Sequence, residues 1–137
     1  MPSFVDTNIL VYAEDADAGA KREAARRLVT GLWETRQGVV SVQVLQELYV
    51  TLTRKLAKPL PPEPAGRIVE EYLSWTVVAN TGSLLLAALD LHRSAKLSFW
   101  GAMIVQAARE AGCDRLYSED LNAGQRYGGV EVVNPFV

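Results

Sequence analysis

The chain reads as an α/β protein in which a parallel sheet is covered by helices on both faces. Two observations lead there. Short apolar strand candidates alternate with helix-length periodic segments, and no hairpin signal joins one strand to the next. A third sets the size: 137 residues suffice for one core without disulfides. One domain over residues 1–137 is expected, since no stretch divides the chain into two parts each large enough for its own core.

Ser3 to Asp6 forms the first strand candidate, apolar up to an acidic end, and a helix follows from Asn8 to about Glu14. Residues 19–36 carry helical spacing in Ala24, Ala25, Leu28, Val29 and Leu32. Lys21, Arg22, Arg26 and Arg27 decorate that helix, as a solvated face or part of an RNA-facing one. Gly38 and Val39–Val40 suggest a second strand. Ser41 then caps a helix running to about Ala57. Val44, Leu45, Leu48 and Leu52 are its apolar stripe, and Gln43, Glu47 and Thr51 repeat every four residues on another face.

Prolines 59, 61, 62 and 64 break the chain in an inter-helix turn before the next helix. Trp75–Ala79 is the third strand candidate, and a helix from about Ser83 to Ala95 comes after it. Another helix follows Ser98, then a fourth strand candidate at Asp114–Ser118 and a final one at Val130–Val133.

Composition excludes several classes of site. The lone Cys113 forbids an internal disulfide or a cysteine-built zinc site and reads as a small, partly buried thiol. The lone His92 forbids a histidine-rich metal site and reads as a surface residue. A net charge of −2 gives no global footprint for nucleic acid, so any such role needs a local basic patch. The N-terminus lacks a signal-peptide pattern, and the longest apolar run, Leu84–Leu89, is too short to span a bilayer. A cytoplasmic location with no membrane association is the expectation. There is no P-loop, and the glycine pair Gly128–Gly129 opens no helix, so no dinucleotide fingerprint is present. Phosphotransfer at Asp6 would want a second acid two residues on, where Asn8 stands.

In open α/β sheets, sites form beyond the carboxyl ends of the strands. Asp6 ends the first strand candidate, Asp120 follows the fourth, and Glu47 lies on the helix after the second. Carboxylates gathered there repel one another unless a cation lies between them, and with no nitrogen or sulfur donors that cation is hard: Mg²⁺ or Mn²⁺. Such an ion activates water and stabilises charge on a phosphoryl group. Each acid also has a plainer reading: Asp6 as a helix cap, Glu47 as an exposed helix charge, Asp120 as a turn former.

The helix after Ser98 carries an anomaly. A capping box would place an acidic or amide side chain three residues past the cap, and the helix dipole favours a carboxylate there. The residue is Gly101, which costs about 1 kcal/mol relative to alanine inside a helix.

DTNILVYAED, SVQVLQELYVTLTRK and ALDLHRSAKLSFWGAMIVQAAREAGCDRLYSEDL, in that order, resemble the PIN-domain ribonucleases, and among them the VapC toxins of type II toxin–antitoxin systems. The resemblance runs from about residue 2 to the C-terminal VVNPF. It implies a three-layer α/β/α sandwich, often a homodimer, that cleaves transfer or ribosomal RNA with Mg²⁺ or Mn²⁺ and is silenced by a cognate antitoxin. Carried over by motif, the catalytic and metal-holding acids are Asp6, Glu47 and Asp120, with Ser118 and Asn8 in supporting positions. The family's remaining acid falls on Gly101, so its carboxylate is missing and activity is expected to be strongly reduced. An inactivating replacement, a natural loss that leaves a module binding antitoxin or RNA, and completion by another residue all accommodate that glycine. Arg22, Arg26, Arg93 and Lys96 are the expected RNA contacts.

Overall fold

The computed structural model describes all residues, Met1–Val137. The elements run β1 (Ser3–Val5), α1 (Thr7–Glu14), α2 (Ala20–Thr35), β2 (Gly38–Ser41), α3 (Val42–Arg54), α4 (Pro62–Tyr72), β3 (Thr76–Val78), α5 (Gly82–Ala95), α6 (Phe99–Glu110), β4 (Arg115–Tyr117), β5 (Arg126–Tyr127) and β6 (Val130–Val133). The sheet order is β3-β2-β1-β4-β6-β5, parallel throughout except for the β5–β6 pair. Helices α1 to α4 pack among themselves, as do α5 and α6. With right-handed crossovers this places the two groups on opposite faces, giving the α/β/α sandwich.

The inner strands β1 and β2 are buried on both faces and therefore read as largely apolar runs. Phe4, Val5, Val40 and Leu116 are fully enclosed, and they belong to one hydrophobic cluster of 31 residues. Polar side chains cap four of the six helices, α1, α3, α5 and α6. Ser41 accepts from the Val44 N–H at 3.2 Å and Thr81 from the Leu84 N–H at 3.1 Å, each satisfying an orphan donor. No helix is long and apolar enough to cross a membrane.

The structure departs from the sequence reading in four places. Helix α3 stops at Arg54, three residues before Ala57, while Pro62 and Pro64 belong to the first turn of α4 rather than preceding it. Proline is tolerated there because first-turn N–H groups lack intrahelical partners. A hairpin does exist: Gly128–Gly129 is the two-residue turn joining β5 to β6, with Gly128 at φ 63°. Cys113 is buried rather than partly so, and His92 is half-buried.

The chain leaves β1 for β2 and β3 on one side, then returns to place β4 on the other side of β1. Strand order therefore reverses between β1 and β4. Their carboxyl ends form the crevice in which α/β proteins build sites.

Candidate active site

Asp6 is the residue immediately after β1 and the N-cap of α1. Its backbone N–H donates to the Tyr117 carbonyl at 2.9 Å, which ties it to the end of β4. Both carboxylate oxygens are fixed: Oδ1 accepts from the Thr7 N–H at 2.7 Å and Oδ2 from the Ser118 hydroxyl at 2.9 Å. Capping and site-building are thus one act.

Ser118, with no exposed surface, also organises the loop after β4. Its oxygen accepts from the N–H groups of Asp120 at 3.2 Å and Leu121 at 3.3 Å. Asn8, one residue into α1, donates from Nδ2 to Asp120 Oδ2 at 2.7 Å. From α3, Glu47 Oε1 accepts from the Thr7 hydroxyl at 3.2 Å and from the buried Gln43 amide at 3.4 Å. The polar tips of β1, α1, α3 and the β4 loop are therefore linked side chain to side chain.

Burial pushes the Asp6 carboxyl up to about 6 from its ordinary 3.8. The Ser118 and Thr7 hydrogen bonds oppose that rise, and the charges of Asp120 and Glu47 add to it. Every donor in the cluster is oxygen, the chemistry of a hard-cation site. As the side chains stand, no three His, Cys, Asp or Glu groups gather closely enough to share one ion.

Gly101 lies in the same cavity, of about 160 Å³, as Asp6, Glu47 and Asp120. Its N–H donates to Ser98 Oγ at 3.0 Å, the N-cap bond of α6. A Cβ at this position would meet Ser98 Oγ at 3.0 Å and a Leu121 methyl at 3.2 Å, so Leu121 presses against the place where a side chain would begin.

Glu119 turns away from the cluster. It accepts from the Tyr12 hydroxyl at 2.6 Å and pairs with Lys21, whose ammonium lies over the Tyr12 and Phe136 rings.

None of the four basic residues expected to touch RNA lines the cavity at the carboxylates. Arg26 Nε donates to the Ala13 carbonyl at 2.7 Å near the end of α1, and Arg93 pairs with Asp90. Arg22 is half-buried, and Lys96 is exposed at the C-cap of α5. Sequence reasoning missed Thr7 and Gln43 as holders of Glu47. The signal for Gln43 was its position one turn before Glu47.

Among curated proteins none matches the chain. Solved structures do. VapC20 of Mycobacterium tuberculosis, described as a sarcin-ricin loop cleaving toxin, is 25% identical, with TM-score 0.66 over 86% of this chain and 89% of its own. A toxin–antitoxin complex from Klebsiella pneumoniae is 18% identical, with TM-score 0.69 and 97% of each chain covered. FitAB bound to an IR36 DNA fragment is 13% identical, with TM-score 0.73 over 98% of this chain and 96% of that one. These last two show likeness of fold. The PIN domain model matches residues 3–128, and with that span covering both β1 and the loop after β4, the chain belongs to the PIN-domain family.

Proposed function

We propose that this protein is a metal-dependent endoribonuclease toxin, built to cut RNA phosphodiester bonds with Mg²⁺ or Mn²⁺, and impaired by the glycine at position 101. The observation that carries the reading is the hydrogen-bonded set of Asp6, Glu47 and Asp120 at the switch point of a PIN-family sheet. The likeness to VapC20 supports RNA as the substrate, and the likeness to the Klebsiella pneumoniae toxin–antitoxin complex supports a cognate antitoxin as the partner.

The donor set suits Mg²⁺, which keeps several waters and takes only one or two carboxylates directly. Asp6, Glu47 and Asp120 are the residues that would hold it. When bound, such an ion supplies a more acidic water and neutralises charge on the phosphate. The protein's own residues do the positioning. Ser118 and Thr7 fix both oxygens of Asp6, Asn8 aims Asp120, and Thr7 with Gln43 restrains Glu47. A missing fourth carboxylate weakens the hold on the ion, and a displacement of ~1 Å costs about 10²-fold in rate.

A second reading, a non-catalytic PIN-fold module that grips antitoxin or RNA, is favoured by Gly101 together with the absence of any three-group cluster. Restoring the acid separates the two. Gly101→Asp, alone and with Leu121→Ala to free the space beside its Cβ, should cut RNA in Mg²⁺ or Mn²⁺ and arrest growth when expressed. If neither variant cuts in either metal, the nuclease reading fails and the binding module stands.

A further inference from the structure

We propose that Lys21, Tyr12 and Glu119 form a clasp on the outer side of the β4 loop, and that this clasp sets where Asp120 stands among the carboxylates. Lys21, Tyr12 and Glu119 are positioning residues. The proposal rests on the metal-dependent function above and adds what controls the geometry of its site.

Side chains alternate along the loop after β4. Ser118 and Asp120 turn inward, to Asp6 and Asn8, while Glu119 between them turns outward. Holding Glu119 on one side therefore holds its two neighbours on the other. Helix α1 grips all three residues. The Ser118 hydroxyl donates to Asp6 at 2.9 Å, Asn8 donates to Asp120 at 2.7 Å, and the Tyr12 hydroxyl donates to Glu119 Oε1 at 2.6 Å. Asn8 and Tyr12 are four residues apart, so they meet the loop from successive turns of one helix face.

Lys21 completes the hold from α2. Its ammonium donates to Glu119 Oε2, so both oxygens of that carboxylate are engaged. The same ammonium lies 5.0 Å from the centroid of the Tyr12 ring and 5.5 Å from that of Phe136. Those rings meet edge-on, 5.4 Å apart at 84°. Phe136 belongs to the segment after β6, where its N–H donates to Asn134 Oδ1 at 2.9 Å. Two helices, the loop and that segment thus converge on one cation.

This ion pair differs in kind from the other three. Glu63–Arg67, Asp90–Arg93 and Arg126–Glu131 join residues three to five positions apart, and their carboxylates are 39–84% exposed. Lys21 and Glu119 are 98 positions apart, and Glu119 is 22% exposed. Exposed local pairs contribute little, whereas a covered pair between distant elements fixes their relation. Lys21 also disposes of a charge. Glu119 adjoins Asp120, and without a cation beside it a fourth carboxylate would add to the repulsion among Asp6, Glu47 and Asp120.

The test uses the full chain, as it stands and as Gly101→Asp, with Lys21→Met to open the clasp and Lys21→Arg to keep its charge. Amide hydrogen exchange is read without metal, and Mn²⁺ binding by electron paramagnetic resonance. Lys21→Met should speed exchange of the Asp120 and Leu121 N–H groups about 10-fold and leave that of β1 unchanged. It should weaken Mn²⁺ binding about 10- to 100-fold, the usual cost of losing a residue that orients a metal ligand, and Lys21→Arg should restore most of both. Glu131→Gln, which breaks an exposed pair, should change neither.

Unaltered exchange at Asp120 in Lys21→Met overturns the clasp, with or without metal. Exchange that rises equally in β1 marks general destabilisation and also overturns it, as does an equal loss in Glu131→Gln. Faster local exchange with unchanged Mn²⁺ affinity overturns its hold on the site. If exchange responds as expected but neither the chain nor Gly101→Asp binds Mn²⁺, the metal-dependent reading fails and the clasp on Asp120 stands.

Discussion

Replacing Asp6 with asparagine removes a charge that burial holds in an unfavourable state. The rise of this carboxyl from 3.8 to about 6 corresponds to about 3 kcal/mol against the ionised form in the folded protein. The sign follows from proton linkage. The native state binds its proton more tightly than the unfolded chain does, so the group's contribution to stability is greatest below pH 3.8. It is lost as pH rises and is gone above about 6. Asparagine titrates nowhere in this range. It keeps the bond from the Thr7 N–H but sets an amide against the Ser118 hydroxyl, at a cost of about 1 kcal/mol. At pH 8 without divalent metal, Asp6→Asn should therefore be more stable than the parent by about 2 kcal/mol. Near pH 4 the order should reverse, with the parent ahead by about 1 kcal/mol or less. Urea unfolding at the two pH values measures both numbers. Saturating Mg²⁺ at pH 8 should raise the parent's stability and leave the variant's nearly unchanged. A variant less stable than the parent at both pH values would refute the buried-charge argument.

Ser118→Ala strips one acceptor from two loop N–H groups and one donor from Asp6, and should cost about 1–3 kcal/mol in thermal or urea unfolding. Gly38→Ala places a Cβ 2.5–2.6 Å from three atoms of the Trp75 ring, so the indole must move. We expect a loss of about 1–3 kcal/mol and a changed near-ultraviolet spectrum. Burial pushes the Cys113 thiol up to about 12, so it should resist thiol reagents at pH 8 in the native protein and react fully in urea.

Most of the fold was legible because it rests on runs long enough to show a period. The stripe of Val44, Leu45, Leu48 and Leu52 identified α3, and all four residues are buried. Strand β5 was not legible, since two residues cannot display alternation. Its one signal is Gly128–Gly129 between Tyr127 and Val130, a pair that opens no helix and so carries no dinucleotide fingerprint, but that makes a hairpin turn. At the site, Asp6 and Asp120 stood out because each follows an apolar strand. The role of Thr7 is invisible to spacing, because it depends on how α1 and α3 approach each other across 40 residues of chain, whereas Gln43 shows in the sequence only as the residue one turn before Glu47. Arg26 shows the converse. Its charge suggested a partner outside the protein, whereas its guanidinium is already engaged with a carbonyl of α1.

The Ser118–Asp6 hydrogen bond joins residues 112 positions apart. During synthesis at roughly 5–20 residues per second, Asp6 waits about 6–22 s before Ser118 is even made. No shorter stretch of the chain holds the assembled cluster, so the site does not exist on a nascent chain until nearly nine-tenths of it has been made and must form after the β1 and α1 residues have long been waiting for their partners.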